Sequence, residues 1–218
     1  MAFNLKSERV KELINNLRSS GIRDDSVLEA MQRLKRESFV VDEFKKFAYD
    51  NSALPIECSQ TISQPFTVAF MTQLLKVKKG SKILEIGTGS GYQAALLCEL
   101  GAEVYSVERI EALYKKAKNT LNKLGYRVNL LFSDGSLGWK ENAPFDGIIV
   151  TAGSPDIPQK LLEQLKPEGI LIVPVGDKYV QKMYEVKKIP INGNEHRIDI
   201  KKHGDFKFVP LVGDDGWK

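Results

Sequence analysis

Three carboxylates, Glu85, Glu108 and Asp134, each stand at or just beyond the end of an apolar run, and the first leads into Gly87-Thr-Gly89-Ser-Gly91. An Ala/Leu-rich stretch begins at Tyr92, directly after the last of these glycines. Such a succession is how a nucleotide-like cofactor is met at the carboxyl end of a parallel strand. Two cofactor classes fit the glycines. In the frame Gly89-Ser-Gly91-Tyr-Gln-Ala94 they match the dinucleotide fingerprint with Ala in third place, and Glu108 lies near the place of a ribose-binding acid. In the frame Glu85-Ile-Gly87-Thr-Gly89-Ser-Gly91 an acid precedes the first glycine by two residues. That acid repels a pyrophosphate and suits the sulfonium and ammonium groups of S-adenosylmethionine. Taken in order, Glu85, Glu108 and Asp134 then serve the methionine end, the ribose and the adenine, with Gly135 allowing close approach of the ring. The plain alternative is that each acid only caps the element that follows it.

The elements that must position these residues follow from periodicity. Val10, Leu13, Ile14 and Leu17 recur at helical spacing and Gly21 stops them; Ser26-Val-Leu-Glu29 reads as a capping box opening a second helix. From Phe39 to about Thr61 the text is irregular, and a helix is expected over Pro65–Leu75. Strands are expected at Lys82–Ile86, Glu103–Glu108, Val128–Ser133, Phe145–Val150 and Ile170–Val175. Helices fall between them near Tyr92–Leu100, Ile110–Leu124 and Pro158–Leu165, with Gly101 and Gly125 as stops. This alternation predicts an α/β fold with a doubly wound, mostly parallel sheet. Gln181–Ile189 and Arg197–Pro210 flank Asn192-Gly193 and predict an antiparallel hairpin. One domain over 1–218 is expected: a helical cover over 1–60, a cofactor-binding core over 61–177, and a hairpin with a substrate-side segment over 178–218.

Composition removes several function classes. The 218 residues are 42% hydrophobic and 28% charged, and no apolar run approaches the roughly 20 residues that span a bilayer. Net charge is +4, but basic and acidic side chains number ten and ten over 1–60, thirteen and twelve over 61–177, and nine and six over 178–218. Charge so interleaved makes a solvated surface rather than a nucleic-acid footprint. Only Cys58 and Cys98 are present, which suits a reducing compartment, and MAFNLKSERVKELI carries charges where a signal peptide is apolar. A cytoplasmic location is expected, with no membrane or nucleic-acid partner and no metal; self-association is left open.

Glu85–Gly91 resembles the first motif of S-adenosylmethionine-dependent methyltransferases, and Thr61-Ile-Ser-Gln-Pro65 resembles a more specific segment, the one preceding the glycine loop in protein-L-isoaspartate O-methyltransferases. Ser133-Asp-Gly135, Ala143-Pro-Phe-Asp-Gly-Ile-Ile149, Leu165-Lys-Pro-Glu-Gly169, Pro174-Val-Gly176 and Phe208-Val-Pro-Leu211 extend the likeness to about residue 213. The family usually has His directly after that proline; here Phe66 takes its place. The resemblance implies a Rossmann-like methyltransferase sheet and methyl transfer from S-adenosylmethionine, leaving S-adenosylhomocysteine. The acceptor it implies is the free carboxylate of L-isoaspartyl residues in damaged proteins and peptides. It carries cofactor binding onto Glu85, Gly87, Thr88, Gly89, Ser90, Gly91, Glu108, Arg109, Asp134 and Gly135. Substrate binding falls to Ser63, Pro65, Phe66, Thr151, Val209 and Leu211, with Ser63 as the catalytic, carboxylate-orienting residue.

That chemistry asks little of acid–base groups, because a carboxylate with an ordinary pKa near 4 is already the ionised nucleophile at neutral pH. Two histidines, His196 and His203, both in the tail, are enough for it. Phe66 is expected to form an apolar wall, and backbone groups around Val209 and Leu211 to pair with an extended substrate peptide. Other readings of the same residues are an NAD-dependent oxidoreductase, which Glu85 disfavours, and a non-catalytic cofactor-binding protein. A methyltransferase acting on RNA or a small molecule is a further one, although no Asn-Pro-Pro-aromatic run follows the fourth strand.

Overall fold

The computed structural model describes residues 2–192 and 195–218, so Gly193 of the expected Asn192-Gly193 turn lies outside the described residues. Two helices, α1 (Ala2–Ser19) and α2 (Asp25–Arg33), open the chain, and Leu13, Leu17, Val27 and Met31 bury their shared apolar stripe. The capping box expected at Ser26 is not what starts α2. Asp24 is the N-cap, and its Oδ1 accepts from the backbone N–H groups of Ser26 (3.0 Å) and Val27 (3.3 Å). A carboxylate two residues earlier satisfies the free N–H groups of the first turn and adds charge of the favourable sign.

A two-stranded antiparallel hairpin, β1 (Leu54–Pro55) with β2 (Thr61–Ile62), precedes α3 (Pro65–Leu75). Its turn holds Cys58 (φ 58°) and Ser59 (φ 57°) in the left-handed region, an unusual state for residues with a Cβ. The tip is tied down by an ion pair from Glu57 to Lys116.

The alternating text then becomes β3 (Lys82–Ile86), α4 (Tyr92–Glu99), β4 (Glu103–Glu108), α5 (Glu111–Lys123), β5 (Val128–Phe132), β6 (Phe145–Val150), α6 (Gln159–Glu163) and β7 (Leu165–Gly176). The last helix is shorter than periodicity suggests, because Leu165 already pairs with Phe145 and starts a twelve-residue strand. The tail adds β8 (Gln181–Pro190) and β9 (His196–Phe206), antiparallel to β7 and to each other. Residues 207–210, expected to prolong the last strand, leave the sheet; Pro210 forms only an isolated bridge to Gly153.

Seven strands thus form one sheet in the order β5-β4-β3-β6-β7-β8-β9, with β3 through β7 parallel. Around β3 each face of the sheet is covered. Ile83 joins the core with Leu96 and Leu97 of α4, whereas Leu84 and Ile86 point the other way toward Leu161 and Leu162 of α6. Consecutive buried positions along β3 are what a strand covered on both faces requires. The chain runs from β3 outward to β4 on one side and β6 begins on the other, so the loops after β3 and β6 diverge and leave a crevice between them. Among the described residues no helix is long and apolar enough to cross a membrane.

Asp24→Ala is expected to cost about 1 kcal/mol of stability, the usual loss for an N-cap acid, while Glu29→Ala stays within a few tenths. Urea unfolding of the two variants checks this, and a larger loss for Glu29→Ala would restore the capping box.

Candidate active site

The crevice beside β3 is lined by Ser63, by Glu85, Gly87, Thr88, Gly89 and Ser90, by Glu108 and Arg109, and by Gly135, Thr151, Val209 and Leu211. Segments far apart in sequence meet there because every parallel strand delivers its carboxyl end to the same edge of the sheet.

The glycine loop takes its path from backbone geometry. Gly87, Gly89 and Gly91 have φ of 93°, 53° and 88°, all in the left-handed region. At Gly87 there is also no room, because a Cβ would lie 2.5 Å from Thr151 Oγ1. Thr151 Oγ1 stands 2.9 Å from the Ile86 carbonyl and 2.7 Å from that of Gly87, so its single proton is committed to the loop. Thr151 therefore lines the cleft as expected but has no donor left for a substrate. Gly91 is not among the lining residues; it caps α4 and faces Leu121, which allows that helix to pack closely.

Glu108 ends β4 with its side chain buried, and its two oxygens accept from the backbone N–H groups of Gly89 (2.9 Å) and Ile110 (2.8 Å). A carboxylate has about four acceptor sites, so roughly two remain for hydroxyls of a bound molecule. Glu85 is fully buried beneath the same loop. Ser106 Oγ donates to Glu85 Oε2 (2.5 Å) and, its proton so used, accepts from Thr88 Oγ1 (2.5 Å). Glu85 Oε1 has no hydrogen-bond partner among the described residues. Burial, reinforced by the nearby charge of Glu108, pushes the Glu85 carboxyl up to about 8. Two acids in one cleft, one with an unmet acceptor, fit a ligand that carries positive charge and hydroxyls.

Asp134 stands at the strand end, as the sequence suggests, but is not among the lining residues. Its carboxylate accepts from Ser136 N (2.9 Å), Ser136 Oγ (2.7 Å) and Asp214 N (2.8 Å). Three of its roughly four acceptor sites are thus used to cap a turn and to dock the end of the chain. Gly135 beside it does line the cleft, and a Cβ there would come within 2.7 Å of Ile86.

On the other wall, three expected substrate-side groups have other contacts. Pro65 is the buried first residue of α3 and Phe66 stacks on Phe70 (5.7 Å, 21°), so neither is among the lining residues. The Phe66 ring packs into an aromatic row that Phe70 continues onto Phe206, not into a wall of the cleft. Val209 and Leu211 line the cleft, but their backbone is engaged: Val209 O accepts from Gly153 N, Leu211 N donates to Gly153 O, and Leu211 O accepts from Trp217 N. Few main-chain groups are left there for strand addition. Ser63, by contrast, keeps its hydroxyl. The helix N-cap is Gln64, and Ser63 Oγ bonds to no other described residue. Sequence reasoning passes over Arg36, whose Nη2 donates to the Ser63 carbonyl, and Tyr92, whose side chain follows directly on the last loop glycine.

Comparison with known proteins gives this cleft relatives. Residues 8–216 match the family model of Protein-L-isoaspartate(D-aspartate) O-methyltransferase (PCMT). A protein-L-isoaspartate O-methyltransferase of Cytophaga hutchinsonii is 49% identical, over 95% of this chain and 92% of the relative. One of Dictyoglomus turgidum is 48% identical over 95% and 93%. A solved protein-L-isoaspartate O-methyltransferase superposes with a TM-score of 0.83 at 28% identity, over 95% of this chain and 67% of that one. A protein of Plasmodium falciparum, a candidate member solved with S-adenosyl-L-homocysteine, gives 0.78 at 26% identity, over 93% and 97%.

A carboxyl held up to about 8 is largely protonated at neutral pH and ionises when a cation sits against it. Calorimetric titration with S-adenosylmethionine at about pH 7, in buffers of differing ionisation enthalpy, should show proton release in the wild type and none in Glu85→Gln. Without ligand, the stability that Glu85 contributes is complete below its ordinary value of 4.5 and is lost as pH rises through about 8. Buffer-independent heats in the wild type would mean that Glu85 does not meet the cation.

Proposed function

The chain belongs to the protein-L-isoaspartate(D-aspartate) O-methyltransferase family, and on that premise we propose how its residues divide the work. The reaction is methyl transfer from S-adenosylmethionine to the free carboxylate of an L-isoaspartyl residue in damaged protein. The observation that carries the assignment of roles is that Ser63, ahead of α3, and the glycine loop after β3 line one cleft.

When bound, S-adenosylmethionine supplies an electrophilic methyl group on a sulfonium. Glu108 and the Gly87–Gly91 loop would hold its ribose side, Glu85 its cationic end, and Gly135 with Arg109 the region of the ring. The substrate carboxylate is ionised at neutral pH and needs no base. What the protein must provide is alignment of the attacking oxygen and exclusion of water. Ser63 Oγ, half-buried and without a partner among the described residues, donates to one carboxylate oxygen and leaves the other directed at the methyl group. Val209, Leu211 and Ile62 supply apolar walls that keep water out.

We assign the chain one methyltransferase domain that works on proteins and peptides in the cytoplasm. Interleaved charge argues against nucleic acid, and an exposed free thiol at Cys58 suits a reducing compartment.

Ser63→Ala is expected to lower kcat/KM for an isoaspartyl peptide by about 10- to 100-fold while cofactor affinity is kept, as for loss of one orienting donor. Labelled methyl transfer, with the normal aspartyl peptide as control, measures it. Unchanged kinetics would remove Ser63 from the reaction. With saturating cofactor, the wild-type kcat should be flat between about pH 6 and 8, since the nucleophile is already ionised; a bell-shaped profile there would require a general base.

A further inference from the structure

Among the described residues Arg36 is the largest fully buried side chain, and it carries a charge into the interior. It lies in a short 3-10 helix, Arg36–Phe39, outside the cleft lining. Its Nε donates to the Ala48 carbonyl (2.9 Å) and its Nη2 to the Ser63 carbonyl (2.8 Å). The guanidinium lies over the Tyr92 ring, 4.6 Å from its centroid, and Nη1 has no hydrogen-bond partner among the described residues. Burial lowers its pKa from the ordinary 12.5, as expected for a cation withdrawn from water.

One planar group therefore joins the N-terminal cover, the segment ahead of α3 and the first residue of α4. Two of the residues it touches, Ser63 and Tyr92, line the cleft. A cation buried with one donor unmet is costly to stability and would be replaced without loss by an apolar side chain if it only filled space. Its fork geometry gives it a further use: two N–H groups at fixed angles reach two carbonyls while the flat face stacks on an aromatic ring.

We propose that Arg36 is a positioning residue for the methyl acceptor. By gripping the Ser63 carbonyl against the start of α4, it sets the height and direction of the Ser63 hydroxyl over the glycine loop. The inference rests on the reading that Ser63 orients the carboxylate. It adds that this orientation is imposed from behind by a side chain that touches neither substrate nor cofactor. Displacements of about 1 Å in such a support can cost on the order of 100-fold in rate.

The test uses the full chain and four variants: Arg36→Met, Arg36→Lys, Ser63→Ala and the double Arg36→Met/Ser63→Ala. Each is assayed for kcat and KM with an isoaspartyl peptide and titrated with S-adenosylhomocysteine. Arg36→Met should lower kcat by about 10- to 100-fold, with KM and S-adenosylhomocysteine affinity changed by less than about 3-fold. Arg36→Lys, which keeps the charge on a single donor nitrogen, should recover part of the loss; it carries the test if the methionine variant does not fold. The double variant should be no slower than Ser63→Ala, because both act through one hydroxyl. Additive losses beside an impaired Ser63→Ala would overturn the role of Arg36 and leave that of Ser63 standing. Wild-type kinetics in Ser63→Ala would overturn both. A parallel fall of S-adenosylhomocysteine affinity and kcat in Arg36→Lys would reduce Arg36 to a packing residue.

Discussion

Two backbone N–H groups, those of Gly89 and Ile110, converge on the carboxylate of Glu108, and the cleft takes its shape from that meeting. Glu108 ends β4, whereas Gly89 belongs to the loop after β3. The bond therefore fixes a loop of one strand to the tip of its neighbour. Hydrogen bonds to a charged acceptor are worth about 1.5–3 kcal/mol each, enough to hold a loop whose glycines lose much conformational freedom on folding. Left-handed φ at Gly87, Gly89 and Gly91 turns the loop sharply enough to reach the acid. Thr151 locks the near side by bonding the Ile86 and Gly87 carbonyls.

The acids that make the site useful also strain the fold. Glu85 is fully buried, has an oxygen without a partner, and keeps its proton to about 8. On stability alone an apolar residue would serve better there. Arg36 presents the same imbalance with the opposite sign, a buried guanidinium with Nη1 unmet. The two sit behind different walls of one cleft. Glu85 lies under the loop that receives the methyl donor, and Arg36 lies behind the serine that receives the acceptor. A carboxyl that ionises only against a cation suits the donor, and a fixed guanidinium behind the serine suits an anionic acceptor.

Much of this was legible in the sequence because backbone chemistry dictated it. Gly101 and Gly125 have left-handed φ and stop helices where they were expected to, and β3, β4 and β6 begin and end where apolar text does. The resemblance at Thr61–Pro65 and Glu85–Gly91 led to the family that the comparisons show. What escaped depended on contacts distant in sequence. Asp24 displaced Ser26 as N-cap because either residue type can cap and only the local turn decides. The β1–β2 hairpin was missed because its strands have two residues each and its turn uses Cys58 and Ser59 where glycine is usual. Asp134 is occupied by Asp214, eighty residues on, and Arg36 by the Ser63 carbonyl, neither of which periodicity can foresee.

Whether the acids of the cleft select a cationic, hydroxyl-bearing cofactor is tested most directly by calorimetric titration of the wild type and Glu108→Gln with S-adenosylmethionine and with NAD. The wild type should bind S-adenosylmethionine and not NAD. The variant, still folded, should bind S-adenosylmethionine about 10- to 100-fold more weakly, having lost charge-assisted bonds to the ligand and to Gly89. Equal affinity in wild type and a folded variant, or tight binding of NAD, would contradict the assignment of Glu108 and of the cleft around it.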